Sequence, residues 1–178
     1  MLINVLFGIA GKFIPPSSPR SFIVPDIISS SSSFHRSWVP STSQLITVAR
    51  DGICKIWNVS ESNNVVDVSN VNSWQPFNGV PVTAIAIWDQ LIPFQGEEGY
   101  LTVVGSEEGK LSIWWLQKNV YQNIQPIFEI PLPFCHGKTV KRLVWRQSYS
   151  PNNEQKIFEF ASCSEDNSVR IHRFSLSF

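Results

Sequence analysis

Closely spaced cysteines are missing from this sequence of 178 residues. Its three cysteines are Cys54, Cys135 and Cys163, and no two of them form a CxxC pair. A zinc site requires Cys or His ligands at short spacings, and a disulfide framework shows a dense, even set of cysteines. The pattern therefore predicts no metal site and reduced thiols, as in a cytoplasmic or nuclear protein.

The sequence also lacks an excess of charge of either sign. Fourteen Lys and Arg residues balance 14 Asp and Glu residues, so the formal net charge is zero. No global electrostatic field draws such a chain towards nucleic acid or an anionic membrane, and any such contact has to be local.

A membrane-spanning run is absent as well. The opening segment Met1 to Ala10 is apolar, but it is shorter than the roughly 20 residues that a transmembrane helix requires. It also carries no basic region of the kind that begins a signal peptide. We therefore expect no membrane partner.

The sequence contains no recognisable catalytic or nucleotide-binding motif. It has no GxGxxG or GxxxxGK[ST] loop to hold phosphate and no GxSxG turn to expose a nucleophile. His136, with Glu129 or Glu159 as a neighbour, is the one general-base candidate, and a structural role is the favoured interpretation of this histidine. We expect no enzyme activity, no catalytic residue and no cofactor.

Aromatic residues are abundant. The chain has seven tryptophans and 12 phenylalanines but one methionine, a composition that suits packed β-sheets. After residue 33, helical periodicity is nearly absent and short β-branched or aromatic runs recur between turn signals. We predict a poorly ordered, Ser- and Pro-rich N-terminal segment over residues 1–33 and an all-β domain over residues 34–178.

Three segments of the domain align without gaps, at offsets of 57 and 58 residues. Each has an apolar strand, an acidic residue followed by Gly or Asn, and then an alternating strand. The segments are Leu45 to Trp57 (LITVARDGICKIW), Thr102 to Trp114 (TVVGSEEGKLSIW) and Phe160 to His172 (FASCSEDNSVRIH). Because Gly and Asn adopt positive φ readily, each segment predicts a hairpin. The predicted turns lie at Asp51-Gly52, Glu108-Gly109 and Asp166-Asn167.

A further strand precedes each hairpin. Val82 to Ile87 and Val140 to Trp145 have apolar residues at the same three places. The first unit has a weakened version, Ser33 to Trp38, which is followed by Pro40.

This pattern of strands and turns resembles that of WD repeats, which build four-stranded propeller blades. The resemblance implies a hydrogen-bonded set of His, Ser or Thr, Asp and Trp in each blade, and no unit of this sequence has all four. The third unit offers His136, Ser162 and Asp166, with His172 in place of Trp. We interpret His172 as a half-buried strand residue.

The other two units match the set less well. The first unit offers Thr47, Asp51 and Trp57 without a well-placed histidine. The second unit offers Trp114, with Glu108 at the Asp position and Val104 at the Ser/Thr position.

Three units are fewer than the four to eight blades of a closed propeller. We therefore predict a partial propeller, an open arc of about three four-stranded blades whose two terminal faces are apolar. The last unit has too few residues after Phe174 for a fourth strand, and Met1 to Phe7 is the candidate for that outer strand. The chain is expected to be the C-terminal end of a longer protein.

The last unit is also similar to the final blade of second subunits of the Elongator complex. The similarity rests on HGKTVKRLVWR and FASCSEDNSVRIHR in this unit, and on residues 84–113 of the unit before it. It implies a non-catalytic scaffold with other protein subunits as partners, in the modification of tRNA wobble uridines. The alternative is a generic WD adaptor, such as a ubiquitin-ligase substrate receptor. Such receptors often have Arg two residues after the WD dipeptide, and neither Trp57 nor Trp114 is followed by one.

Two further features bear on partners. The cations of the last unit are candidates for weak contact with tRNA phosphate, and ordinary ion pairs within the blade are the competing interpretation. The candidates are Lys138, Lys141, Arg142 and Arg146. Aromatic residues in connections that contain proline either anchor a partner or cover the edges of their own sheets. These connections are residues 74–77, 91–94 and 130–134.

Overall fold

The computed structural model describes residues 33–40, 42–62, 65–118, 123–146 and 156–176. The predicted poorly ordered segment and the candidate strand at Met1 to Phe7 lie outside these residues, so both stay predictions. The described residues form 11 β-strands and one short 3-10 turn at Leu132–Phe134, without an α-helix. No helix in this described part is long and apolar enough to span a membrane.

The strands form three antiparallel sheets in chain order. The first sheet contains β1 (Ser33–Trp38), β2 (Gln44–Ala49), β3 (Cys54–Ser62) and β4 (Val65–Trp74). The second contains β5 (Val82–Phe94), β6 (Glu97–Ser106), β7 (Leu111–Gln117) and β8 (Ile124–Glu129). The third contains β9 (Val140–Arg146), β10 (Lys156–Ser164) and β11 (Val169–Leu176). Two sheets thus have the predicted four strands, and the third has three among the described residues.

The three predicted hairpins are confirmed as β2–β3, β6–β7 and β10–β11. Each turn places one residue in the left-handed region: Gly52 at φ 77°, Gly109 at φ 85° and Asn167 at φ 62°. Gly and Asn tolerate this region better than other residues. The turn chemistry of the sequence therefore sets the hairpins locally.

The weakened strand of the first unit also forms. β1 pairs with β2 from Trp38↔Leu45 to His35↔Val48, with an irregularity between Ser33 and His35. Pro40 lies beyond the strand and removes no ladder hydrogen bond.

One predicted connection is instead a strand. Residues 91–94 belong to β5, which runs past an irregularity after Ile87 and turns at Gln95-Gly96 into β6. The physical reason is burial, because Trp88 and Ile92 on this extension are 4% and 1% exposed. Each contributes to the apolar core shared with the third sheet.

The second sheet lies between the other two, and both of its faces are covered. One face packs on the first sheet through Ile85, Tyr100, Val104 and Leu116 against Ile46, Val48, Cys54 and Ile56. The other face packs on the third sheet through Leu101, Val103, Ile113 and Trp115 against Val140, Leu143, Phe158 and Phe160. The inner strand β5 contacts both β1 and β9, as in neighbouring blades of a propeller.

Hydrogen bonds also cross between neighbouring sheets. The Thr83 hydroxyl donates to the Val140 carbonyl at 2.7 Å, and the Trp145 indole donates to the Ala86 carbonyl at 3.0 Å. These donors hold β9 against β5. On the other side, the Tyr100 hydroxyl donates to the Pro40 carbonyl at 2.7 Å.

The prediction that both terminal faces are apolar holds only in part. On the third sheet, Val169 and Ile171 are 71% and 77% exposed, but charged side chains share their face. On the first sheet, Trp38 is 58% exposed, whereas Leu45, Thr47 and Trp57 are at most 9% exposed. Part of that burial is internal, because the Trp57 indole donates to the Thr47 hydroxyl.

Packing between sheets predicts that two glycines of similar φ differ in how much their replacement by Ala destabilises the protein. A Cβ at Gly109 would overlap the His136 carbonyl oxygen, whereas a Cβ at Gly96, at φ 83°, would meet nothing within 4 Å. Gly96→Ala should cost about 1 kcal/mol of unfolding free energy from φ strain. Gly109→Ala should cost about 1–3 kcal/mol more from the overlap. Equal denaturant midpoints for the two variants would contradict this packing.

Candidate functional site

The third sheet contains a continuous hydrogen-bonded chain of four side chains. Asp166 lies in the β10–β11 turn, His136 in the connection before β9, Ser162 on β10 and His172 on β11. His136 Nδ1 lies 3.1 Å from Asp166 Oδ2, and its Nε2 lies 2.8 Å from Ser162 Oγ. Ser162 Oγ in turn lies 3.1 Å from His172 Nε2.

One proton assignment satisfies the whole chain. In one tautomer, His136 donates from Nδ1 to the Asp166 carboxylate and accepts the Ser162 hydroxyl proton at Nε2. His172 then donates its Nε2–H to Ser162 Oγ. Each atom that links the four side chains then has a partner, as burial requires.

Asp166 is held in its ionised form. It accepts hydrogen bonds from the hydroxyl of Ser168 at 2.6 Å and from the backbone N–H of Gly137 at 3.0 Å. These bonds, that of Ser168 first, hold the pKa of the Asp166 carboxyl well below its usual range. Asp166 is therefore an acceptor that anchors the chain and does not supply a proton.

His172 takes the place of the tryptophan. Burial lowers the pKa of its imidazole to about 4, so the ring is neutral at pH 7 and has one N–H to donate. The ring stacks on Phe160 at a centroid distance of 4.5 Å. In the first sheet the Trp57 indole donates to Thr47 in the same way, at 2.8 Å.

The third unit lacks the tryptophan of the set, yet its four positions are joined by hydrogen bonds. The sequence pattern treats His172 as a lost tryptophan, but its Nε2 lies 3.1 Å from Ser162 Oγ and can donate a hydrogen bond as an indole N–H does. The gapless alignment places His172 at the position of Trp57. Both side chains have a ring N–H, and this shared property identifies His172 as the fourth member of the set.

The first unit joins two of its three predicted residues. Trp57 and Thr47 are bonded, but Asp51 is 38% exposed at its side chain and bonds its own turn. Its Oδ1 accepts the N–H of Ile53 at 2.9 Å, and Lys55 lies 3.8 Å away.

The second unit joins neither of its predicted residues. Trp114 Nε1 is buried and finds no hydrogen-bond partner in the described part of the chain. The reason is that Val104 offers no acceptor where the first unit has Thr47. Glu108 points outward, 56% exposed, and pairs with Lys110 at 2.8 Å.

The site has little capacity for chemistry. The His136 side chain has no exposed surface, and both ring nitrogens are engaged. Of its candidate carboxylate neighbours, Glu159 is held by Arg146 and Arg173. No group of three metal-ligating side chains occurs within the described ranges.

The candidate partner residues fall into two groups. Lys141 pairs with Glu165 at 2.5 Å, and Arg146 pairs with Glu159 at 2.8 Å, so ion pairs engage two of the four proposed tRNA contacts. Among the aromatic connections, Trp74 and Phe77 are buried in the core between the first and second sheets. Phe134 is 61% exposed.

The comparison with known families agrees with this geometry. The profile of the family "WD domain, G-beta repeat" matches residues 130–173, the range that contains the entire four-residue chain. This chain contains a WD repeat at residues 130–173. Its third sheet is the unit that the family profile matches, and its first two sheets repeat the same strand order.

The similarity to Elongator subunits that the last unit predicts is confirmed. Elongator complex protein 2 of Dictyostelium discoideum is 30% identical over 151 residues, covering 80% of this chain and 16% of that protein. Striatin-4 of Mus musculus is 26% identical over 139 residues, covering 74% of this chain and 16% of Striatin-4. A crystal structure of Saccharomyces cerevisiae Sqt1 has a TM-score of 0.44 at 13% identity, covering 79% of this chain and 34% of that chain. The chain thus spans about 16% of the length of these two curated relatives.

The four-residue chain of this WD repeat predicts that two buried serines differ in how much their replacement by Ala destabilises the protein. Ser162→Ala should lower the unfolding free energy by about 1–3 kcal/mol, because His136 and His172 lose their shared partner. Ser112 is the matched control, since its buried hydroxyl has no partner among the described residues. Ser112→Ala should change stability little, and Ser162→Thr should retain most of it. Equal losses of unfolding free energy for Ser162→Ala and Ser112→Ala in urea would show that the four hydrogen-bonded side chains contribute nothing to stability.

The lowered pKa of His172 predicts a pH dependence of stability. Between about pH 6.5 and 4 the unfolded state binds a proton at this residue and the folded state does not. Stability should therefore fall as the pH drops through that window. His172→Trp keeps an N–H donor without the titration, so its melting temperature should fall less steeply. The pKa of His35 is also lowered by burial, but this residue contributes equally to the wild type and to His172→Trp. Identical slopes of melting temperature against pH for the two proteins would show that His172 is not the titrating group.

Proposed function

We propose that this chain is a non-catalytic scaffold subunit of an Elongator-like complex, which acts in the modification of tRNA wobble uridines. The observation that carries the proposal is the enclosure of its chemistry-bearing residues. Asp166, His136, Ser162 and His172 bond one another and leave no group for a substrate. A set arranged in this way ties a blade together.

The similarity to Elongator complex protein 2 supports the choice of assembly, because it extends over 80% of this chain. The partners in this proposal are the other protein subunits of the complex. A weak tRNA contact depends chiefly on Lys138 and Arg142, since ion pairs engage Lys141 and Arg146. Free thiols at all three cysteines suit a reducing compartment, which here means the cytoplasm and the nucleus.

Affinity purification of the tagged full chain from cells that contain Elongator tests the proposal. The other Elongator subunits should co-purify with the chain under conditions that preserve the complex. Ile113→Asp, which places a charge in the core between the second and third sheets, is the control for fold-dependent binding and should abolish co-purification. Their absence from the wild-type sample would overturn the proposal.

A further inference from the structure

The outer face of the third sheet, which is turned away from the second sheet, has an apolar centre. Val144, Ala161 and Ile171 form one cross-strand row, because Ala161 pairs with both of the others. Val144 is 57% exposed and Ile171 is 77% exposed. We call this outer face of β9, β10 and β11 the third-sheet face.

The row on one side of this centre is charged. Glu159 pairs with Arg146 on β9 and Arg173 on β11. Its carboxylate is 7% exposed and accepts from Arg146 at 2.8 Å and from Arg173 at 2.5 Å. The two guanidinium groups are 73% and 69% exposed, so their remaining N–H donors face solvent.

The row on the other side is mixed. Cys163 pairs with Arg142 and Val169, and both of these side chains are exposed. Arg142 has no ion pair within the described ranges. The third-sheet face therefore carries three guanidinium groups and one carboxylate, a net charge of +2.

The second sheet shows how the same positions look when a sheet of this chain covers them. At an offset of 58 residues, Ala84 corresponds to Arg142, Leu101 to Glu159 and Trp115 to Arg173. These three residues are at most 1% exposed under the third sheet. The middle row is apolar in both sheets, so the two faces differ in their flanking rows.

We propose that the third-sheet face binds a protein surface that has an apolar centre flanked by Asp or Glu side chains. The apolar row supplies the area that is removed from water. The flanking guanidinium groups keep donors that a carboxylate satisfies in the bidentate manner of Arg. The partner is a subunit of the assembly, so this inference rests on the proposed function.

A second copy of this chain fits the third-sheet face less well. Its residues Val140, Leu143, Phe158 and Phe160, which cover the second sheet, are buried within each copy and are not available to another. Any apolar surface of a second copy would bury the guanidinium groups of Arg142, Arg146 and Arg173 without an added carboxylate, which carries a large desolvation cost. Charge complementarity therefore selects an acidic partner.

Cys163 reports directly on coverage of the third-sheet face. It is partly exposed, whereas Cys54 and Cys135 are buried, so iodoacetamide should alkylate Cys163 first in the isolated chain. In purified complex, alkylation should slow about tenfold when nine-tenths of the chain is assembled, because only the free fraction reacts. An added thiol, Val71→Cys on the 46% exposed position of β4, should react at the same rate in both samples.

Variants of exposed residues test the chemistry of the partner without disturbing the core. Ile171→Glu and Arg142→Glu should each reduce recovery of the other subunits at least about tenfold at low salt. Arg142→Lys, which keeps the charge but loses the bidentate geometry, should give a recovery between those of Arg142→Glu and the wild type. Val71→Glu, the matched control on the first sheet, should leave recovery unchanged, and melting curves should show all four variants folded.

Each contrary outcome identifies what fails. Assembly with Cys163 still reactive would overturn this inference and leave the proposed function standing. Protection that Arg142→Glu does not weaken would overturn the acidic partner. Concentration-dependent protection of the isolated chain would identify a second copy as the occupant. Failure of the chain to assemble would overturn the inference and the proposed function together.

Discussion

The structure depends on one constraint, which is that both faces of the second sheet are buried. Leu101 and Val103 point to the third sheet, and Tyr100 and Val104 point to the first. A sheet that is apolar on both faces cannot turn a side to water. The neighbouring sheets are therefore required for the second sheet to fold, and the hydrogen bonds of Thr83 and Trp145 align what apolar burial brings together.

The hydrogen-bonded chains within the units are secondary to this packing. The second unit folds with a buried Trp114 N–H that has no partner in the described residues, although such a group costs about 1–3 kcal/mol. The third unit keeps the full chain but replaces tryptophan by His172. This replacement introduces a titratable ring, whose charged form is disfavoured by burial.

The buried polar residues and the exposed residues of the third unit have different roles. The polar residues of the WD repeat in this unit hydrogen-bond one another and hold a turn to a strand, as the ionised Asp166 shows. What this unit presents to other molecules is the row of Val144 and Ile171 and the arginines beside it. A scaffold binds through such surfaces, whereas its buried polar groups keep the sheets in register.

The sequence by itself determined the local structure, because hairpins depend on neighbouring residues. Gly52, Gly109 and Asn167 adopt the positive φ that their turns require, and the alternation of the flanking strands sets the register. The same pattern located His136, Ser162 and Asp166 in one unit.

Only the tertiary structure decided the rest, since it depends on contacts between distant residues. His172 contacts Ser162 because the two lie diagonally across β10 and β11, and residues 91–94 form a strand because Trp88 and Ile92 pack in an apolar core. The exposure of Ile171, an apolar strand residue, likewise follows from which sheet faces are covered, and no local pattern encodes that.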